Sequence, residues 1–203
     1  MLGDMFPQEG CQAEACNGRA LFRRHFCYRH LKDKAAYGRE IREYLSGQAR
    51  LRGLELSGVP LDGVDFAGKE LWYSRFTGCD FRDADFSGVK IRFSFLDFAR
   101  FSKCYFGETD MRCMALSGSA IGDSRFEECE IIRCSLNGVQ AHGVVFDDCD
   151  LYDTRFIGAA VESSTFKNCS LTRVNFRRAR MVNVRFASCN LEEAYTEEAE
   201  MGK

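Results

Sequence analysis

The sequence predicts an all-β fold: a four-sided parallel β-solenoid of about seven coils, preceded by a small metal-binding segment and a capping helix. Three observations predict it. From Leu51 to Leu191, 29 positions spaced five apart are large and apolar with the sole exception of Ala141, and the register never slips. Two residues before each sits a mostly small side chain: Cys79, Ala84, Val89, Ser94, Ala99, Cys104, Thr109 and onward to Cys189. Similarity then recurs at twenty. Positions 66, 86, 106, 126, 146, 166 and 186 are all Phe, whereas 51, 71, 91, 111, 131, 151, 171 and 191 hold Leu, Ile or Met and no aromatic.

A period of five suits neither regular element. On a helix, five residues advance about 500°, so the large residues spiral and make no stripe. On a straight strand, an odd spacing throws alternate residues onto opposite faces. The pattern works only if the chain bends once per pentad, so that each large residue points to a common axis. Gly recurs two places after the large residue, for example at Gly58, Gly78, Gly118 and Gly138, where a corner favours positive φ. A three-sided coil would stack Phe66, Phe81, Leu96, Met111, Phe126 and Ala141, a mixed set, so four sides fit better. Two prolines in 203 residues agree with a backbone whose N–H groups are needed in ladders. Pro60 at a ladder position and Lys69 in a small slot predict an irregular first coil, and Leu54 and Met114 also overfill the small slot.

These pentads resemble the pentapeptide repeat family, whose motif is small, Asp or Asn, Leu or Phe, then two variable residues. Ala84-Asp85-Phe86, Cys79-Asp80-Phe81, Cys149-Asp150-Leu151, Val174-Asn175-Phe176 and Cys189-Asn190-Leu191 carry the resemblance, which covers residues 51–191, about 70% of the chain. It implies a right-handed quadrilateral parallel β-helix, a handedness the pattern alone does not give. Seven coils at about 4.8 Å make a rod of roughly 34 Å. The resemblance also implies one function: some members mimic DNA and bind DNA gyrase, a role that goes with a strongly acidic rod. Residues 51–191 are close to neutral here.

Seven of the eleven cysteines fill the small slot: Cys79, Cys104, Cys129, Cys134, Cys149, Cys169 and Cys189. The last three with Cys129 lie twenty apart and stack on one side. A metal or redox ladder is one reading; small buried hydrophobes interchangeable with Ala, Ser, Thr and Val is the expected one. Cys113 falls at an outward corner. The other three lie outside the repeat, giving Cys11-x4-Cys16-x10-Cys27-x2-His30, which fits a tetrahedral Cys3His zinc site. His25 is an alternative fourth ligand with a less usual spacing to Cys27. Four protein ligands leave no open position for chemistry, so the zinc is expected to be structural.

The chain therefore divides into a zinc-knuckle-like leader (1–31), a capping helix (32–50), the solenoid (51–191) and an acidic tail (192–203). Tyr37, Ile41, Tyr44 and Leu45 share one stripe of the helix, which is expected to cover the open end of the rod. The tail is expected either to form a short capping helix with Tyr195 or to leave the last coil to a second copy. A homodimer through that coil or through an aromatic patch is compatible with the sequence.

Outward positions carry whatever specificity the protein has. Trp72, Tyr73, Phe93, Phe95 and Phe98 are expected at one corner as a partner-binding surface, or packed under the N-terminal helix. Acidic residues cluster at Glu127, Glu128, Glu130, Asp147, Asp148 and Asp150, and Arg133, Asp153, Arg173 and Glu193 alternate in sign at intervals of twenty. The net charge of −2 gives no general attraction to nucleic acid or anionic membranes. Four arginines in the leader (Arg19, Arg23, Arg24, Arg29) keep nucleic-acid contact open as an alternative. No signal peptide or membrane helix is read, so the expected location is cytoplasmic. No phosphate-binding loop, GxSxG or HExxH is present, and His142 is a lone outward imidazole. The expected function is a non-catalytic protein-interaction module.

Overall fold

Each pentad folds as one short side. Three-residue strands such as Arg50–Arg52 and Asp80–Arg82 bury only their central residue, as a period of two requires over so short a run. The computed structural model describes residues 9–202; residues 1–8 and 203 lie outside the described residues. Those described form a parallel β-solenoid of about eight turns and one α-helix.

The first face stacks Leu51, Leu71, Ile91, Met111 and Ile131 in five parallel strands, each twenty residues beyond the last. The second is held by single bridges from Glu55 through Arg75, Phe95, Ala115, Ser135, Arg155 and Asn175 to Tyr195. The third is a seven-stranded sheet from Asp80–Arg82 to Glu200–Gly202, and the fourth runs from Tyr105–Gly107 to Arg185–Ala187. Inside the fourth face the rings from Phe66 to Phe186 stack in one column, with centroids 4.3–5.1 Å apart and planes within 14°. The ladder spacing and the ring thickness match, so each coil reinforces the next.

The small slot also has a hydrogen-bonding task. Most of its thiols and hydroxyls donate to the carbonyl 23 residues earlier, such as Cys79 to Leu56 (3.0 Å), Thr109 to Phe86 (2.9 Å), Ser119 to Leu96 (2.8 Å) and Cys129 to Phe106 (3.0 Å). Ser74, Ser124 and Ser164 donate instead to the carbonyl two residues earlier. A small residue with a weak donor therefore serves better than Ala at several levels. Burial pushes the Cys134 thiol up to about 12. Cys113 alone of the eleven is exposed. We expect Cys113 to be the one fast-reacting thiol of the solenoid, with the core thiols labelled only on unfolding; mass spectrometry of maleimide-labelled peptides checks this.

The first coil is regular, contrary to the expectation from Pro60 and Lys69. Leu61 N–H donates to Asp80 and Lys90 N–H to the Lys69 carbonyl, while the Lys69 ammonium reaches out to the carbonyl of Gln48. Ladder donors at this position reach back 21 residues, as Glu70 does to Ala49. For residue 60 that place falls in the helix, so a proline loses no bond there. Leu54 and Met114 are buried without breaking the register.

Helix α1 (Lys34–Ser46) starts where the Asp33 carboxylate accepts the Ala36 N–H (2.8 Å). It buries Tyr37, Ile41 and Leu45 over the open core, and Tyr44 lies half-buried with its ring 5.1 Å from Phe22. The tail makes no capping helix. After a single 3-10 turn at Leu191–Glu193 it continues the coil, with Tyr195 bridged to Asn175 and Met201 in register with Met181. Arg177–Glu197 and Arg178–Glu198, each 2.8 Å, tie it down. No helix among the described residues is long and apolar enough to cross a membrane.

Candidate functional site

Two features depart from the repeat, and both lie toward its N-terminal end. The first is built from the leader. An antiparallel bridge between Gly10 and Arg19 and the Cys11 N–H bond to Gly18 (2.8 Å) bring Cys11 beside Cys16. A 3-10 turn over Tyr28–His30 swings His30 back onto Cys27. One ligand atom from each of Cys11, Cys16, Cys27 and His30 lies within 4.8 Å of all the others. The His30 Nδ1 is 3.5 Å from the Cys11 sulfur and 3.4 Å from the Cys27 sulfur, and Cys16 and Cys27 are 3.9 Å apart. A tetrahedral zinc with ordinary bond lengths has S···S edges of about 3.8 Å and S···N edges of about 3.6 Å, so the four donors fit the ion. His25 is outside this group and meets Gln12 instead (3.4 Å).

The surroundings suit a metal. Gly18 N–H points at the Cys16 sulfur (3.3 Å), and a Cβ on Gly18 would stand 3.3 Å from both that sulfur and the Cys27 Cβ. Burial works to raise the Cys11 thiol, but hydrogen bonds from the backbone at Cys27 and Ala13 and from His30 and Cys27 bring it down to about 6. The leader in turn seals the helix. Leu21 is buried, Phe22 N–H donates to Glu55 (2.7 Å), and Tyr37 hydroxyl donates to the Phe22 carbonyl (3.0 Å). Arg24 pairs with Glu40 and covers Tyr37, and Arg23 lies over Phe22 and Tyr44. Two of the four leader arginines are thus used to hold the cap, which weakens their reading as nucleic-acid contacts.

Beneath the leader sits a buried carboxylate. Glu55 accepts from Ser57 and pairs with Arg75 at 3.2 Å, and Arg19 adds a second positive charge nearby. Burial nevertheless holds its carboxyl above the usual range. Arg75 extends over the Phe95 ring, 4.5 Å from its centroid.

The second feature is the group of outward aromatics. They do not share one corner. Trp72 is on the first face, and Tyr73 and Phe93 stack at the first corner (5.5 Å, 5°). Phe95 lies half-buried on the second face and Phe98 at the corner beyond it. Trp72, Phe93 and Phe98 are 37%, 46% and 68% exposed. Phe98 adopts φ 56° at a corner that is glycine at 58, 78, 118, 138 and 158 and a charged residue at 178 and 198. Its ring lies across Gly118, where a Cβ would come within 2.7 Å of it.

Half of the acidic cluster is paired, Glu130 with Arg112, Glu127 with Arg125 (2.9 Å) and Asp147 with Lys167 (2.8 Å), and one level earlier Asp110 pairs with Arg92 and Arg112. Asp153 sits between Arg133 (3.7 Å) and Arg173 (3.8 Å) as the alternating column predicts, while Glu193 takes the Thr172 hydroxyl (2.7 Å). Burial works to raise the Asp110 carboxyl, but Arg92 and Arg112 outweigh it and hold the group below the usual carboxylate range. Its contribution is therefore complete above the unfolded value of about 3.9 and fades as pH falls through the folded one. Asp110→Asn should cost about 0.5–1 kcal/mol at neutral pH and nothing in strong acid, a difference readable by urea unfolding. His142 is exposed beside a shallow trough of about 490 Å³ on the third face, with Glu162 the other ionisable group lining it.

Family models match the solenoid. The sequence model of the pentapeptide repeat region matches residues 119–196, and that of the pentapeptide repeats (8 copies) matches residues 61–92 and 70–102. Among curated proteins no sequence match is found. Among solved structures, a trypsin-treated variant of the plasmid-mediated fluoroquinolone resistance protein QnrB1 is 17% identical, with a TM-score of 0.49 over 76% of this chain and 86% of that one. HetL from the cyanobacterium Nostoc, a pentapeptide repeat protein involved in heterocyst differentiation regulation, is 17% identical (TM-score 0.33, 80% and 93%). Rfr23 from the cyanobacterium Cyanothece is 15% identical (TM-score 0.31, 79% and 99%).

Proposed function

Since the chain is a pentapeptide repeat protein, we propose that it works as a non-catalytic protein-interaction module: a rod closed at its N-terminal end by a zinc-held cap, with Trp72, Tyr73, Phe93, Phe95 and Phe98 as its contact surface. The observation that carries this is Phe98. Phe98 is the most exposed large apolar residue among those described, with 68% of it in solvent. Folding gains little from it, so its use is sought outside the fold. Exposed aromatics on a rigid frame are the usual anchors of a protein interface.

Zinc is the metal we assign to Cys11, Cys16, Cys27 and His30. With four protein ligands it would hold the leader against α1 and the first coil and do no chemistry. A reducing, cytoplasmic setting belongs to this reading, since it keeps eleven thiols free for packing and ligation.

The test is affinity capture from the native host with the zinc-loaded chain and with Trp72→Ala/Phe93→Ala. We expect the double variant to lose its partner by about tenfold or more. Equal retention of the same proteins by both would remove the aromatic surface from the account.

A further inference from the structure

The first face carries a charge imbalance that the chain as a whole lacks. Over its first four levels the outward cations Arg50, Arg52, Lys90, Arg92 and Arg112 are opposed only by Glu70 and Asp110, while the chain as a whole is −2. Both carboxylates are committed, Glu70 to Arg50 (3.3 Å) and Asp110 to Arg92 and Arg112. Arg52 and Lys90 have no carboxylate partner among the described residues. Arg92 and Arg112 are register neighbours that share the Asp110 carboxylate. Beyond Arg112 the same face presents Glu130, Ile132, Asp150 and Tyr152, so the basic stretch is bounded.

This stretch adjoins the aromatic corner. Trp72 stands in register between Arg52 and Arg92, and with Arg50, Leu51, Arg52 and Glu70 it lines a cleft of about 350 Å³. A cationic cleft walled by an indole suits a carboxylate carried next to apolar groups. Single-stranded nucleic acid is the other anionic candidate, but it needs ring faces free for stacking. Tyr73 is covered by Arg52 from the coil before and by Phe93 from the coil after, so its ring has no face left for a base.

We propose that the N-terminal half of the first face docks an acidic segment of a partner protein. Arg52 and Lys90 receive its carboxylates, and Trp72, Tyr73 and Phe93 form the apolar side of the footprint. The proposal rests on the interaction-module reading and names the chemistry of the partner.

Trp72 is the chain's single tryptophan, so its emission reports on this face alone. The full zinc-loaded chain is titrated with a short synthetic peptide alternating Glu and Leu, with its Lys–Leu counterpart, and with oligothymidylate. The expected result is a saturable emission change with the Glu peptide only, weakened by added salt. Arg52→Glu/Lys90→Glu should weaken it by about tenfold, and Lys103→Glu on a distant corner should leave it unchanged. No saturable change with the Glu peptide, or an equal response to the Lys peptide, overturns the proposal. Tighter binding of oligothymidylate, lost in the same double variant, replaces it with nucleic-acid docking. If the Glu peptide fails while host capture still depends on Trp72 and Phe93, the acidic partner is wrong and the module reading stands. If capture is also indifferent, both fall.

Discussion

Phe126→Ala is expected to lower the unfolding free energy by about 3–5 kcal/mol. Its ring lies 4.3 Å from Phe106 and 4.7 Å from Phe146, nearly parallel to both. Those neighbours are fixed by ladders on the fourth face and cannot slide along the axis to close the gap. The variant therefore keeps most of the cavity, and the cavity term adds to the lost transfer energy. Phe126→Leu should cost less, about 1–1.5 kcal/mol, because other columns already accept Leu. Phe98→Ala is the contrasting case. Its ring is exposed, and we expect stability within about 0.5 kcal/mol of wild type. Equilibrium urea unfolding of the three variants checks all three values. A large loss at Phe98 would mean that the exposed aromatics are packing elements.

Removing the metal is expected to have the second large effect, confined to one end. Structural zinc in small modules contributes roughly 10–16 kcal/mol of binding free energy at neutral pH, nearly all of it used in folding the ligand loop. Cys27→Ser, or a strong chelator, should release the leader from α1. Leu21 would lose its burial, and Glu55 its bond from Phe22. Amide exchange should then rise over residues 9–46, while the coils beyond residue 100 stay protected, because each solenoid level contacts only its neighbours. Unchanged protection at residues 9–31 after chelation would show that zinc is not what holds the cap.

Most of the fold was legible because the solenoid repeats one physical problem at every level. A fixed large column and a small slot recur at five and at twenty, and the structure places Phe66 through Phe186 in a single stack as that pattern requires. The four proposed metal ligands were legible from spacing, and the fold brings together His30 rather than His25. Pro60 misled because a missing donor matters only where an acceptor lies below, and that depends on where the helix sits. The tail misled because Thr196 interrupts the large column, although Met201 resumes it in register. The aromatics were found by their outward positions, but which corner each occupies depends on how pentads divide around the square. The duties of Arg23, Arg24 and Glu55 had no local signal, since they arise from docking the leader onto α1 and the first coil.

The partner is expected to contact the face and corners bearing Trp72, Phe93 and Phe98. Site-specific photo-crosslinking in the native host tests it most directly. A photoreactive side chain is placed in turn at positions 72, 93 and 98, and at 128 and 142 on other sides of the rod. The account predicts one common partner adduct from the first three positions and none from the last two. The same adduct from positions 128 and 142, with none from 72, 93 and 98, would contradict it.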